Sequence, residues 1–197
     1  MREAKSNGKN RDVIGYDETY SHSHTGEHII SDEFRQRLDE ADARSQGQGL
    51  TPRINAEQAF RDKVGNQISR GQKGILIAIN PRYDNRLRFH DMNEKYTYTG
   101  GDDIIRTIAH FCSIELGALS DGVLFGRNVD KIFVFIPGFT AETPGYEDIL
   151  RRALARIKFD FEDQIPDIEI AFDTYAAFTD EETQKMPGLL FQRTAYA

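Results

Sequence analysis

The sequence lacks clustered positive charge, paired cysteines and long apolar runs, and each absence excludes a class of protein. Its 197 residues contain 25 Lys and Arg against 32 Asp and Glu, a formal net charge of −7. That balance argues against a protein whose main partner is a nucleic-acid backbone. The single cysteine, Cys112, excludes an internal disulfide and fits a reducing compartment.

No stretch is apolar over the roughly 20 residues that a membrane-spanning helix needs. The first residues also lack the apolar core of a secretory signal peptide. These features together predict a cytoplasmic protein.

What the sequence does contain is a short run of strand-forming apolar residues at 132–136, which Pro137 and Gly138 end. An uninterrupted run of this kind predicts a strand that is buried on both faces. The charged turn RNVDK (127–131) leads directly into it. The question is whether that turn is a working site or the remains of one.

The N-terminal part divides into two segments. Residues 1–30 are polar and predict a flexible tail, and the histidines of SHSHTGEH (21–28) lack there the rigid scaffold that a metal site needs. Residues 31–48 predict a helix, because Ser31 is a good N-cap and acidic residues follow it. The apolar face of this helix is thin, with Phe34 and Leu38, so we expect it to pack on another element or to self-associate.

Residues 49–197 alternate between helical and strand patterns. Helices are predicted from Ala56 to about Ser69, across GDDIIRTIAHFCSIELG and across YEDILRRALARIK. Strands are predicted at ILIAIN (75–80), at 132–136 and at DIEIAFDTYAAF. This order indicates an α/β fold in which helices pack against a sheet. Cys112 lies on an apolar helical face and is interpreted as a small buried hydrophobe.

Five motifs in this order resemble those of GGDEF domains, the diguanylate cyclase family. LTPRINAEQAF resembles the family's opening LTGLPNRRAF, and ILIAIN resembles the strand that ends in DID. MNEKYTYTGGD resembles INDxxGHxxGD, with Asn93 and Asp102 at the matching separation. GRNVDKIFVFIPG falls on the RxGGDEF hairpin, and IEIAFDTYAAF falls on the strand after it. The resemblance covers residues 49–197 and makes 31–48 a signalling or linker helix.

The resemblance implies a GGDEF or nucleotidyl-cyclase sheet, related to the polymerase palm, packed with helices. Active members pair two GTP-loaded domains and join their substrates into cyclic di-GMP. That reaction needs metal ions held by carboxylates, which neutralise triphosphate charge and activate a hydroxyl.

The positions that match the family's catalytic groups are largely altered. The metal-binding Asp of DID falls on Ala78, and the loop after that strand is lengthened, with Phe89 and His90 at the family's Phe and Lys positions beyond it. The signature GGDEF becomes a degenerate one, listed in order as Asn128, Val129, Asp130, Lys131 and Ile132. A β-branched Val resists the backbone angles that Gly allows, and a Lys reverses the charge beside a metal. We therefore expect no catalytic residues and no metal site, with Asp130 the weak candidate.

The base-recognition pair of the family is retained as Asn93 and Asp102. A carboxylate accepts from N1–H and the 2-amino group of guanine while an amide pairs with ring acceptors. The alternative is that Asp102 only caps a helix and Asn93 is only a loop residue. The family's inhibitory RxxD falls on LSDG (119–122), which lacks the Arg.

The resulting prediction is a non-catalytic GGDEF-like regulatory or interaction domain in bacterial cyclic-di-GMP signalling, with no cofactor. Its predicted partners are a guanine nucleotide, a pathway protein or fused EAL domain, and no nucleic acid; a homodimer stays open. The alternative is an active, magnesium-dependent diguanylate cyclase, in which Asp84 is a substitute metal ligand.

Overall fold

The computed structural model describes residues 28–44, 56–83, 89–128 and 130–195. The helices are α1 (Asp32–Arg44), α2 (Ala56–Ser69), α3 (Phe89–Glu115), α4 (Tyr146–Gln164), α5 (Glu181–Lys185) and α6 (Gly188–Ala195), with a 3₁₀ helix at Gly117–Leu119. The strands are β1 (Gly74–Tyr83), β2 (Leu124–Asn128), β3 (Lys131–Pro137) and β4 (Ile170–Phe178). Among these described helices, none joins the length to the apolar character that crossing a bilayer requires.

The four strands form one antiparallel sheet in the order β2-β3-β1-β4. Strand β1 is central, and Ala78 pairs with Phe133 of β3 and Tyr175 of β4. Strands β2 and β3 form a hairpin that closes with Asn128 opposite Lys131. The mixed α/β architecture predicted from the sequence is confirmed.

Helices pack on both faces of the sheet. Successive residues of a strand point to opposite faces, so one strand contributes side chains to two cores. On β3, Ile132, Val134 and Ile136 join one core with residues of α1, α3 and α4. Phe133 and Phe135 join a second core with residues of α2 and α6. The prediction that this strand is buried on both faces is confirmed.

Helix α1 packs against α3 within the first core. The ring of Phe34 stacks on Phe111 with centroids 5.8 Å apart, and Asp39 forms an ion pair with Arg106 at 2.6 Å. Phe34 and Leu38 are both buried. The apolar seam considered for self-association is therefore covered by the chain itself, which corrects that hypothesis.

The segment between the first strand and the third helix is more regular than its polar sequence predicts. Strand β1 continues to Tyr83, where it pairs with Ile170 of β4, and α3 already begins at Phe89. Within α3, Thr97 has φ 66° and ψ 169°, which kinks the helix. A positive φ is strained for a β-branched residue, so this kink separates α3 into two segments at a defined point.

Candidate functional site

The position that matches the family's metal-binding Asp is an apolar packing position. Ala78 is 3% exposed and lies in the core between the sheet and helices α2 and α6. Its cross-strand neighbours Phe133 and Tyr175 belong to or border the same core. A side chain with no oxygen thus stands in surroundings that disfavour an ion.

The degenerate signature lies at the hairpin between β2 and β3, as the motif predicts. Asn128 and Lys131 face each other across the hairpin and are exposed, while Ile132 is fully buried. Val129 lies outside the described residues. The hairpin therefore presents one amide and one ammonium group to solvent on either side of the turn.

Asp130 contributes charge to a cluster that the sequence did not indicate. It is partly buried in the turn. Burial raises the pKa of the Tyr83 hydroxyl, the charge of Asp130 raises it further, and the Arg127 guanidinium opposes the shift. Tyr83 is fully buried and Arg127 is largely buried. One carboxylate, one guanidinium and one neutral phenol thus lie at this end of the sheet.

The two residues predicted to recognise a base, which together define the candidate base pocket, lie within α3 on either side of its kink. The Oδ1 atom of Asn93 lies against Gly101, where a Cβ added to the glycine would be only 1.7 Å away. The same Cβ would lie 3.5 Å from the ring of Phe89. Asn93 is partly buried, whereas Asp102, the next residue after Gly101, is exposed. The amide and the carboxylate therefore border the same helical turn.

Phe89 connects this pocket with the cluster at the hairpin. Its ring lies 6.5 Å from that of Tyr83, centroid to centroid, and also approaches Gly101. His90, the next residue, pairs with Glu94 at 3.1 Å on the exposed face of the helix. The two sequence-predicted regions, Asn93 and the Asp130 turn, are thus joined by two aromatic rings.

Asp103, rather than Asp102, is the buried acid at this turn. Its carboxylate lies 2.9 Å from Nδ1 of His28 and accepts a hydrogen bond from the backbone N–H of Ile29 at 3.2 Å. Burial raises the pKa of Asp103, and His28 acts against the shift. The sequence showed only two adjacent acids, and nothing in it distinguished their environments.

The remaining predicted positions contribute no site. Asp121, on the stretch that matches the inhibitory motif, is exposed beyond the 3₁₀ helix. Asp84 and most of the histidine-containing tail lie outside the described residues. Within the part of the chain that the structure describes, no three His, Cys, Asp or Glu side chains are grouped so that they could hold a metal ion.

Comparison with known proteins rests on structure, because no family profile and no curated protein matches the sequence. The diguanylate cyclase SiaD of Pseudomonas aeruginosa, solved with its activator SiaC, superposes with a TM-score of 0.54 at 12% identity. The coiled coil and GGDEF domain of DgcB from Caulobacter crescentus, in complex with c-di-GMP, gives 0.52 at 16%. The active GGEEF domain of a Vibrio cholerae diguanylate cyclase gives 0.51 at 16%.

The chain has the GGDEF-domain fold. The likeness covers 83% of this chain for SiaD, 84% for DgcB and 75% for the Vibrio domain. It covers 64% of the SiaD chain, 85% of the DgcB chain and 88% of the Vibrio chain. At identities of 12% and 16% the likeness shows the fold alone, because one fold can carry different activities.

Proposed function

We propose that this chain is a non-catalytic GGDEF-like domain with a regulatory or interaction role in cyclic-di-GMP signalling in the bacterial cytoplasm. The observation that carries the proposal is Ala78, which is buried in an apolar core at the position where the resemblance implies a metal-binding acid. A charge-neutralising metal ion is central to triphosphate chemistry, and its loss removes the main source of transition-state stabilisation.

The side chains present do not fit the metal that the fold family implies. Asp130 offers a carboxylate, but Ala78 offers none and Lys131 adds a positive charge at the same hairpin. Mg²⁺ needs near-octahedral oxygen ligands, of which proteins usually supply one or two carboxylates. We therefore derive no catalytic step through a metal at this hairpin.

Weak binding of a guanine nucleotide is supported by Asn93. Its Oδ1 atom is buried and finds no hydrogen-bond partner among the described residues. A buried acceptor without a partner costs about 1–3 kcal/mol, which a ligand N–H would recover. Asp102 on the adjoining turn is exposed and available for a second contact. This arrangement favours a base with N–H donors, as guanine has.

The decisive experiment is product analysis. The purified chain is incubated with GTP and Mg²⁺ or Mn²⁺, and the nucleotides are separated by chromatography. We expect GTP to remain unchanged relative to a buffer control. Formation of cyclic di-GMP above that control would overturn the proposal that the domain is non-catalytic.

The role of such a domain then lies in what it contacts. The SiaD structure contains a protein activator, and the DgcB structure contains c-di-GMP. By analogy we propose a protein of the signalling pathway, or a fused EAL domain, as the partner of this chain. The partner is tested by co-purification from cells that lack and cells that contain cyclic di-GMP, with the Asp102→Ala variant as a matched bait.

The second candidate function is an active diguanylate cyclase that makes cyclic di-GMP from two GTP. Asp130 favours it, because it retains an acid of the signature beside the buried Tyr83 and Arg127. If product appears in the assay above, Asp130→Ala should abolish it. Unchanged product formation in that variant would exclude this site as its source.

A further inference from the structure

A contact between the residues before α1 and the second segment of α3 is built from a histidine and a buried acid. Nδ1 of His28 lies 2.9 Å and 3.2 Å from the two carboxylate oxygens of Asp103. The backbone N–H of Ile29 donates to the same carboxylate at 3.2 Å. The side chain of Asp103 is 2% exposed and that of His28 is 36% exposed. One end of the contact is thus dry, and the other reaches solvent.

This contact lies directly on the turn that carries the candidate base pocket. A Cβ on Gly100 would lie 3.3 Å from the side chain of Ile29, so the segment covers the helix closely there. Oδ1 of Asn93 lies against the next residue, Gly101, and Asp102 follows in the chain. The segment at 28–30 therefore contacts the same turn as Asn93, through Gly100 and Asp103.

The charges around Asp103 come from three elements. His28 lies before α1, Arg106 lies one turn further along α3, and Asp39 of α1 pairs with Arg106 at 2.6 Å. Burial raises the pKa of Asp103, while His28, the Ile29 amide and Arg106 lower it. Arg106 is paired with Asp39, and the titratable group that lies within hydrogen-bond distance of the Asp103 carboxylate is His28.

We propose that His28 and Asp103 form a pH-sensitive latch, in which protonation of His28 tightens the segment 28–30 onto α3 and fixes the base-pocket turn. A protonated imidazole donates a stronger hydrogen bond to a carboxylate than a neutral imidazole does. Imidazoles in general change charge between roughly pH 5 and 8, so that is the range over which the latch is tested. Asp103 is a positioning residue here. The pocket part of the proposal rests on the proposed nucleotide binding; the latch itself does not.

The latch is tested first without nucleotide, on the full chain, by hydrogen exchange of the Ile29 amide. Protection factors corrected for intrinsic exchange should rise as pH is lowered through the range in which imidazoles gain a proton, because a charged donor binds the Asp103 carboxylate more strongly. His28→Gln keeps an N–H donor but does not titrate, so it should retain part of the protection with no such rise. His28→Ala should lose protection roughly tenfold.

The matched control is Asp39→Asn, which weakens the α1–α3 contact but leaves the hydrogen bonds of His28 and Ile29 to Asp103 in place. A pH profile that is the same in wild type and His28→Gln would overturn the proposal. An equal loss of Ile29 protection in Asp39→Asn would overturn it as well, since the effect would then report general loosening of α1.

The pocket is tested second, by GTP titration of the same variants. His28→Ala should weaken GTP about fivefold, and His28→Gln should remove the pH dependence of the affinity. If wild type binds no GTP while the exchange profile stands, the nucleotide proposal fails and the latch holds. If GTP binds equally to all variants at every pH, the latch does not position the pocket.

Discussion

The side-chain oxygen of Asn93 occupies the space that a methyl group on Gly101 would need. A Cβ at Gly101 would lie 1.7 Å from Oδ1 of Asn93, far inside van der Waals contact. The two segments of α3 meet at this point, on either side of the kink at Thr97. The position of the Asn93 amide therefore depends on Gly101, the glycine directly before Asp102 in the stretch MNEKYTYTGGD.

Gly101→Ala should displace the Asn93 amide and lower GTP affinity about tenfold, and Asn93→Ala should have the same effect. The free energy of unfolding should change by less than about 1.5 kcal/mol, because a short side chain can rotate away. Calorimetry and urea denaturation measure the two effects. Gly188→Ala, where a Cβ meets nothing within 4 Å, is the control. Unchanged GTP affinity in Gly101→Ala would mean that Asn93 does not contact the base.

Asp102→Ala should weaken GTP and GDP more than Asp130→Ala does. Asp102 contacts the base in the proposed complex, and losing a charge-assisted hydrogen bond costs about 1.5 kcal/mol at the lower end, as expected for an exposed carboxylate. Titration of GTP, GDP and ATP into both variants measures this. Equal affinity for ATP and GTP, or no effect of Asp102→Ala, would make the pair purely structural and favour a protein-binding scaffold.

Gly126→Ala should destabilise the fold by about 1–3 kcal/mol. A Cβ on Gly126 of β2 would lie 2.4 Å from the ring of Phe60, so α2 would have to move away from the sheet. Gly65→Ala is the control, since its Cβ would only reach Pro187 at 3.6 Å. Denaturant unfolding of both variants measures the change in the free energy of unfolding. An equal change at the two glycines would contradict the prediction.

Cys112 should not react with a thiol reagent while the chain is folded. Burial raises the pKa of its thiol to about 12, so almost no thiolate is present at neutral pH. Absorbance with a disulfide reagent should show one thiol per chain after unfolding in denaturant and none before. Prompt labelling of the native chain would show that the first core opens easily.

Asp180 should stabilise the C-terminal helices near neutral pH and lose this effect in acid. Its carboxylate caps α5 through the Thr183 amide and pairs with Arg193, which lowers its pKa from 3.8 to about 2. A depressed pKa contributes stability above the ordinary value, and that stability is lost as pH falls towards 2. Asp180→Asn keeps the cap acceptor without the charge, so its stability should change less than that of wild type between these values. Acid titrations of wild type and Asp180→Asn, followed by circular dichroism, measure this difference. Two curves that keep a constant separation would contradict the prediction.

Much of the fold follows from local pattern. The 3.6-residue period sets α2 at Ala56–Ser69, and the apolar run at 132–136 indicates a strand that both cores confirm. Asn128, Asp130 and Lys131 are the residue types from which a degenerate signature is predicted at this hairpin. These features are encoded locally, because periodicity, turn chemistry and charge reversal depend on neighbours in sequence.

The tertiary structure alone decided which groups meet. Asp102 and Asp103 are identical in sequence terms, yet packing against His28 buries only Asp103. The charges of Asp130 and Arg127 act on Tyr83 because β1 continues along β4 to that residue, although polar residues follow the predicted strand. The thin seam of α1 is covered by α3 instead of standing open. Desolvation and side-chain packing arise from elements distant in sequence, so no local pattern specifies them.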